Sequence, residues 1–231
     1  MNNYSIIIPS FNEAKNLNLL LDEIEQNCKS LNYYEIIIVD DSSDDTTQNI
    51  LRDRKQHNLR TIINNTNQGQ SFSIYRGIKE SQYNNIITID ADMQNDPGDI
   101  PYLVKLYSQN KNIKLVSGIR EKRKDNLLKI VSSKVANFIR SIILKDNCPD
   151  TGCSLKIFDK SFFLKIPYFN SMHRYIPAFF IGMKCNVIYE PVNHRYRKYG
   201  KSNYSTLSRL FRGIIDLYKV RKMIKQINNY D

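Results

Sequence analysis

Ile86-Ile87-Thr88-Ile89-Asp90-Ala91-Asp92-Met93-Gln94-Asn95-Asp96-Pro97 is a β-branched strand that runs straight into oxygen-bearing side chains at alternate positions, Asp90, Asp92 and Gln94. A strand turns successive side chains to opposite faces, so these three share one side. Carboxylates gathered there repel each other unless a cation joins them, and all-oxygen ligation suits Mg2+ or Mn2+ rather than zinc. Read alone, the same residues also make a polar turn, with Asp96-Pro97 opening the next helix. The surrounding chain has to decide between the two.

Upstream, Tyr4–Pro9 reads as a buried strand, and Asn12-Glu13-Ala14 opens a helix in which Leu17, Leu20, Leu21 and Ile24 recur at helical spacing. The unit then repeats. Glu35–Val39 is a strand followed by a helix over Asp44–Arg54; Arg60–Ile63 is a strand followed by a helix over Gln70–Ser81; Asn85–Asp90 is a strand followed by a helix over Pro97–Ser108; Lys114–Ser117 is a fifth strand. Ile- and Val-rich strands alternating with amphipathic helices predict an α/β fold, a mostly parallel central sheet with helices on both faces. Ligands of such sheets lie beyond the carboxyl ends of the strands. There the chain places Pro9-Ser10-Phe11-Asn12-Glu13, Asp40-Asp41-Ser42-Ser43 and Asp90-Ala91-Asp92.

After Ser117 the pattern loosens. A charged loop, Gly118–Asp125, precedes a helix over Leu127–Leu144; Thr151–Phe158 and Asn186–Val192 read as strands; Tyr168–Met183 is aromatic-rich with a short helix. A basic loop, His194–Tyr204, leads to a last helix over Ser205–Ile227. Its apolar side carries Leu207, Leu210, Phe211, Ile214, Leu217, Tyr218, Ile224 and Ile227, and Arg209, Arg212, Lys219, Arg221, Lys222 and Lys225 are among the rest. Such a helix lies in a headgroup layer or packs on its own domain or a partner subunit, which leaves a homo-oligomer open.

The formal charge of +11 is unevenly placed: residues 1–115 hold 11 Lys and Arg against 15 Asp and Glu, and residues 116–231 hold 23 against 8. A basic half joined to a mildly acidic one points to an anionic partner: phosphate groups, a membrane surface or nucleic acid. No helix-turn-helix pattern or aromatic RNA-recognition sheet accompanies the charge, so nucleic acid is the least favoured. The cysteines, Cys28, Cys148, Cys153 and Cys185, form no CxxC pair, which argues against a zinc site. Met1–Pro9 has no basic n-region and no long apolar h-region, so the expectation is no signal peptide, reduced thiols and a cytoplasmic chain. No apolar run approaches the ~20 residues of a membrane span, so membrane contact is expected to be peripheral. Gly69 and Gly77 do not form a GxxxxGK[ST] P-loop and read as turn and close-packing glycines.

Taken in order, SIIIPSFNEAKNL (5–17), IIIVDDSSDDTT (36–47), NNTNQGQSFSIYRGI (64–78), IITIDADMQNDP (86–97) and GIR (118–120) resemble the family-2 glycosyltransferases of GT-A fold. DTGCSLKIF (150–158), PYFNSMHRYIPAFF (167–180) and VNHRYRKYGKSNYS (192–205) resemble one branch, the polyprenyl-phosphate glycosyltransferases, which includes dolichol-phosphate mannose synthase and bacterial undecaprenyl-phosphate glucosyltransferases. The resemblance implies a GT-A domain over 1–204, with a nucleotide-sugar half (1–118) and an acceptor half (119–204), followed by the helix at 205–231. It implies a metal-dependent, inverting transfer of a sugar from a nucleoside-diphosphate donor to polyprenyl phosphate, on an anionic membrane surface at its cytoplasmic face. A family-2 enzyme acting on a glycan or soluble hydroxyl is the rival.

In that chemistry Asp92 and Gln94, with Asp90 beside them, are the metal and diphosphate ligands, because a divalent ion is the usual Lewis acid for a leaving diphosphate. The resemblance implies that Asp40 or Asp41 reads the nucleobase and ribose and that Pro9, Phe11 and Glu13 line the same pocket. Asp40 is favoured for binding, and Ser43 or Asp44 for capping the next helix. The acceptor decides the subclass. A hydroxyl needs a general base, for which Asp150 is the best placed acid of the second half; a lipid phosphate is already anionic and needs cations. The resemblance places Arg120, Lys129 and Ser133 around the transferring phosphates, with lysine at 129 where some relatives have arginine. Arg195, Arg197 and Lys201 fall in its acceptor loop, where a solvated basic turn is the plain alternative. His173-Arg174 reads as a packed pair or a second-tier site, and Cys153 as a small buried residue.

Overall fold

The computed structural model describes residues 3–31, 33–121, 138–197 and 206–228. Its strands are β1 (Asn3–Ser10), β2 (Tyr33–Asp40), β3 (Leu59–Ile63), β4 (Asn85–Thr88), β5 (Ile113–Arg120), β6 (Lys156–Asp159) and β7 (Asn186–Val192). Between them run the helices α1 (Ala14–Asn27), α2 (Thr47–Asp53), α3 (Gln70–Glu80), α4 (Ile100–Gln109), α5 (138–144), α6 (Lys160–Phe163) and α7 (Ile176–Gly182), and α8 (Thr206–Asn228) follows the last strand. The strands form one sheet in the order β3-β2-β1-β4-β6-β5-β7. β1 pairs in parallel with β2 and β4, as do β2 with β3 and β5 with β7, while β6 runs antiparallel between β4 and β5.

The period-2 alternation of the strands sorts their side chains into two cores. Ile6, Ile8, Ile36 and Ile38 pack with Leu17, Leu20, Leu21, Ile24 and Leu103 on the α1/α4 face. Ile7, Ile37 and Val39 turn the other way, onto Ile74 and Ile78 of α3 and the aromatic group Phe158, Phe163, Phe179 and Phe180. A Cβ on Gly77 would lie 2.7 Å from Ile7 Cγ2, so only glycine lets α3 approach β1 this closely.

Two features of the sheet position the site. The order departs from β1 in both directions, toward β2 and β3 on one side and β4 on the other, which makes the carboxyl ends of β1 and β4 a topological switch point. Because β6 is antiparallel, its start lies beside the carboxyl ends of its neighbours, with Lys156 opposite Thr88 and Ser117. The residues that precede it, Asp150–Ser154, therefore border the same crevice.

Several boundaries differ from the sequence reading. The helix expected from Asp44 begins at Thr47, because Asp44 and Asp45 are taken up by loop contacts. The strand expected over Thr151–Phe158 is confined to Lys156–Asp159, since Asp150 and Ser154 divert the preceding chain into side-chain bonds. β5 runs on to Arg120 because β7 pairs along its whole length. Of the expected helix over Leu127–Leu144, residues 138–144 are helical and the remainder lies outside the described residues.

The last helix joins the second core. Leu217 and Val220 are buried there, with Met223, Ile224 and Ile227 partly so. A Cβ on Gly182 would lie 2.5 Å from Ile224 Cγ2, so the glycine at the end of α7 admits α8. Ile215 and Tyr218 remain exposed, so the apolar residues of the described part are divided between the domain and solvent. The side chains of Leu207, Leu210, Phe211 and Ile214 lie outside the described residues. No helix among the described residues is long and apolar enough to cross a membrane.

Candidate active site

The alternation expected of the strand end persists past β4. Ile89, Ala91 and Met93 are buried, while Asp90, Asp92 and Gln94 are half-buried and share the other side. Met93 adopts a left-handed conformation at φ 63°, and Asp92 Oδ1 accepts a bond from the Gln94 amide at 3.1 Å, which closes the loop. Gln70, the first residue of α3, donates through Nε2 to Asp90 Oδ1 at 2.7 Å. The Asp90 amide donates to Ser154 Oγ at 3.1 Å, and that hydroxyl donates to Asn95 Oδ1 at 2.6 Å. Burial, and next the Asp92 carboxylate, push the Asp90 carboxyl up to about 7.

These residues fit a divalent ion. Two hard carboxylates face one way, and their mutual repulsion is what a cation would relieve. No cluster of three or more His, Cys, Asp or Glu that could hold a metal occurs among the described residues. The protein thus offers part of a coordination sphere, which suits an ion shared with substrate phosphates.

On the nucleotide side, the carboxylates after β2 tie neighbouring loops together. Asp40 Oδ1 accepts from the Ser43 hydroxyl at 2.5 Å, and Oδ2 accepts from the Ser43 amide and Gln48 Nε2 at 3.2 and 2.9 Å. Asp41 Oδ1 accepts from Asn64 Nδ2 and the Gln68 amide at 2.6 and 2.9 Å, and Oδ2 accepts from the Gly69 amide at 2.7 Å. Both are buried, and each anchors a loop. The expected capping by Ser43 or Asp44 is corrected: Asp45 accepts from the Thr47 amide at 2.8 Å, while the Asn12 amide donates to Ser43 Oγ, Asn12 Nδ2 donates to Asp44 Oδ1 and Asn12 Oδ1 accepts from the Asp44 amide. Asn12, Ser42, Gly69 and Met93 all have positive φ, so each loop leaving β1, β2, β3 and β4 turns at one left-handed residue. Pro9, Phe11 and Glu13 are half-buried at the end of β1. Burial raises the Glu13 carboxyl above its ordinary range, partly offset by Asn16 and Arg197, which both bond to it.

On the acceptor side, Arg120 ends β5 and forks onto Asp150, with Nε and Nη2 donating at 2.7 and 2.8 Å. Asp150, the acid expected as best placed to be a base, is thus an ion-pair partner of Arg120. Asn193 donates through its amide and Nδ2 to Asp99, the backbone of His194 bridges to Asn95, and the Arg195 amide donates to the Gln94 carbonyl at 2.8 Å. The Arg195 guanidinium pairs with Glu23 at 2.6 Å and Asp96 at 2.7 Å, so it fastens this segment to α1 and the metal loop. Its expected role as an acceptor-phosphate cation would require it to leave these two carboxylates. Arg197 pairs with Glu13 at 2.5 Å and lies 4.0 Å from Asp92. Lys129, Ser133 and Lys201 lie outside the described residues.

His173 shares a 2.6 Å bond with Ser71 through Nδ1, and burial holds it neutral with a pKa lowered to about 3. It is a packed residue. Burial likewise raises the Cys153 thiol to about 11, far from a nucleophilic thiolate. Gln70, Ser154, Asn95 and the Asn193–Asp99 contact were not singled out in the sequence; only Gln70 had a local signal, its place directly after the turn glycine Gly69.

A mostly parallel sheet with a carboxylate pair at its switch point is an arrangement suited to holding a nucleoside diphosphate through a divalent ion. The family model described as Glycosyl transferase family 2 matches residues 5–166, and the chain belongs to that family. It is 34% identical over 223 residues to dodecaprenyl-phosphate galacturonate synthase of Rhizobium johnstonii, covering 94% of this chain and 65% of that protein. It is 32% identical over 205 residues to undecaprenyl-phosphate 4-deoxy-4-formamido-L-arabinose transferase of Photorhabdus laumondii, covering 87% of this chain and 62% of that one. The chain thus spans just under two thirds of the length of these relatives. Among solved structures, glucosyl-3-phosphoglycerate synthase of Mycobacterium tuberculosis, in complex with Mn2+, UDP and glucosyl-3-phosphoglycerate, superposes with a TM-score of 0.72 at 13% identity, over 95% of this chain and 80% of that one. At that identity the likeness is one of GT-A fold.

Proposed function

We propose that the chain is an inverting, metal-dependent glycosyltransferase that moves a sugar from a nucleoside-diphosphate donor to polyprenyl phosphate. One observation supports the choice of acceptor: among the described residues, Asp150, the second-half acid expected as the base for a hydroxyl, is taken up by the Arg120 guanidinium. Asp146 is held by Arg140, and Asp159 caps α6 and faces Lys114. A phosphate acceptor carries its nucleophilic oxygen already ionised, so no proton has to be removed. The names of the two relatives, each a transferase of polyprenyl phosphate, support the same reading.

Asp90 and Asp92, with Gln94 beside them, would hold Mg2+ or Mn2+, which supplies Lewis-acid stabilisation of the charge building on the leaving diphosphate. Gln70 fixes the rotamer of Asp90, and the Gln94 amide that of Asp92. Pro9, Phe11 and Glu13 border the nucleotide, while Asp40 and Asp41 hold the loops around it and can meet a base imide or ribose hydroxyl with their remaining lone pairs. An oxygen of the lipid phosphate attacks the anomeric carbon opposite the leaving group. The bond from that carbon to the diphosphate oxygen breaks, and its electron pair leaves with the nucleoside diphosphate. Arg120 and Arg197 neutralise the acceptor phosphate as it approaches; Lys129, Ser133 and Lys201 retain a place here through the resemblance alone. Incubating undecaprenyl phosphate and Mn2+ with a panel of uridine and guanosine diphosphate sugars should give a lipid-linked product with one of them. Hydrolysis of every donor without lipid product would overturn the proposal.

A lipid acceptor would bring the enzyme to a membrane surface, and the cytoplasmic face is the side we propose. Exposed Arg221, Lys222 and Lys225 lie on α8 with exposed Ile215 and Tyr218, and a basic residue near an anionic surface contributes on the order of 1 kcal/mol, screened by salt. Charge reversal of Arg221, Lys222 and Lys225 to Glu should abolish co-sedimentation with anionic vesicles at low salt while the fold persists. Equal sedimentation of both proteins would place the membrane contact elsewhere.

A further inference from the structure

The carboxylates of the site already have a cation of the chain's own among them. Arg197 Nη2 lies 2.5 Å from Glu13 Oε1, and Nη1 lies 4.0 Å from Asp92 Oδ2. Glu13 follows β1 and Asp92 follows β4, so one guanidinium spans the two sides of the switch point. The segment carrying it presents alternate residues to acids: Asn193 to Asp99, Arg195 to Glu23 and Asp96, Arg197 to Glu13 and Asp92. The first two attachments, together with the His194–Asn95 bridge and the bond from the Arg195 amide to the Gln94 carbonyl, involve neither Asp90 nor Asp92. Among the described residues of this segment, Arg197 is the one that reaches Asp92.

We propose that Arg197 and a divalent metal ion are alternative cations of one site: without metal the guanidinium holds Glu13 and Asp92, and an ion bound by Asp90 and Asp92 turns it out toward the anionic acceptor. The inference rests on the metal-dependent reading above. Its physical basis is that a guanidinium and a divalent ion drawn to the same carboxylate repel each other, and the doubly charged ion, joined by two carboxylates and the donor's phosphates, has the larger attraction. Release requires only side-chain torsions, because the anchors at 193–195 stay in place, and Glu13 keeps its bond from Asn16 Nδ2 at 2.6 Å. The freed guanidinium is a planar fork matched to phosphate. Donor and metal would then bind before the acceptor, and their arrival would create part of the acceptor's own site.

The test is a Mn2+ titration followed by electron paramagnetic resonance, without lipid, on the full chain and on Arg197→Met, which keeps the stem and removes the charge. Arg197→Gln serves as a second variant and Arg197→Lys as the charge-retaining control. Removing a partly exposed competing cation should tighten Mn2+ binding roughly fivefold in the Met and Gln variants, with Lys close to the parent. With saturating donor and Mn2+, Arg197→Met should also show a raised KM for undecaprenyl phosphate. Mn2+ binding no tighter in Arg197→Met and Arg197→Gln than in the parent would overturn the competition and leave the metal reading standing. No Mn2+ binding by any of them, even with UDP or GDP present, would overturn both.

Discussion

Asp92→Asn should lower turnover by about 10²- to 10³-fold at saturating donor, the scale of losing one preorganised electrostatic contact to a transition state. Asparagine preserves the shape of the side chain and the bond its oxygen accepts from the Gln94 amide, at 3.1 Å in the parent, so the loop keeps its form. What disappears is half of the carboxylate pair, and with it the site's hold on a divalent ion shared with the donor's phosphates. Steady-state kinetics beside a thermal melt would check this. Near-normal turnover in a folded Asp92→Asn protein would remove Asp92 from the metal site.

The second large effect is on stability. Arg120 and Asp150 form a forked ion pair with side chains 16% and 6% exposed, and Asp150→Ala takes the carboxylate from a nearly buried guanidinium. Breaking such a pair from one side costs about 3 kcal/mol, visible as a lower denaturant midpoint. Asp150→Asn separates the two acceptor chemistries. If Asp150 only positions Arg120, the variant keeps the pH dependence of kcat and its remaining activity. If Asp150 were the base for a hydroxyl acceptor, turnover would collapse and the acidic limb of the profile would vanish.

The central sheet was legible because its strands are runs of Ile and Val whose two faces are both apolar, and the helices between them carry period-3.6 stripes such as Leu17, Leu20, Leu21 and Ile24. The metal loop was legible for the same reason: alternation continues one turn beyond β4, and burial follows it residue by residue. What escaped the sequence depends on contacts distant along the chain. Nothing near Asp150 announces that Arg120, at the end of β5, will occupy it. A basic run such as His194–Arg197 reads as a solvated turn until Glu13, Glu23, Asp96 and Asp99 come together opposite it. The antiparallel entry of β6 was hidden because a short apolar strand carries no mark of its direction. The final helix shows the limit of amphipathicity: Leu217 enters the core as its place on the apolar side predicts, and Val220 joins it from outside that set, yet Tyr218, on the apolar side, stays in solvent.

The claim that the nucleophile is an ionised phosphate oxygen is tested most directly by giving the enzyme, with its preferred nucleotide-sugar and Mn2+, undecaprenyl phosphate in one reaction and the unphosphorylated undecaprenol in another. The account predicts a glycosylated product from the phosphate and none from the alcohol, because the phosphate oxygen is already ionised and Asp150, the described acid expected as a base, is paired with Arg120. Glycosylation of the alcohol at a rate comparable to the phosphate would contradict it.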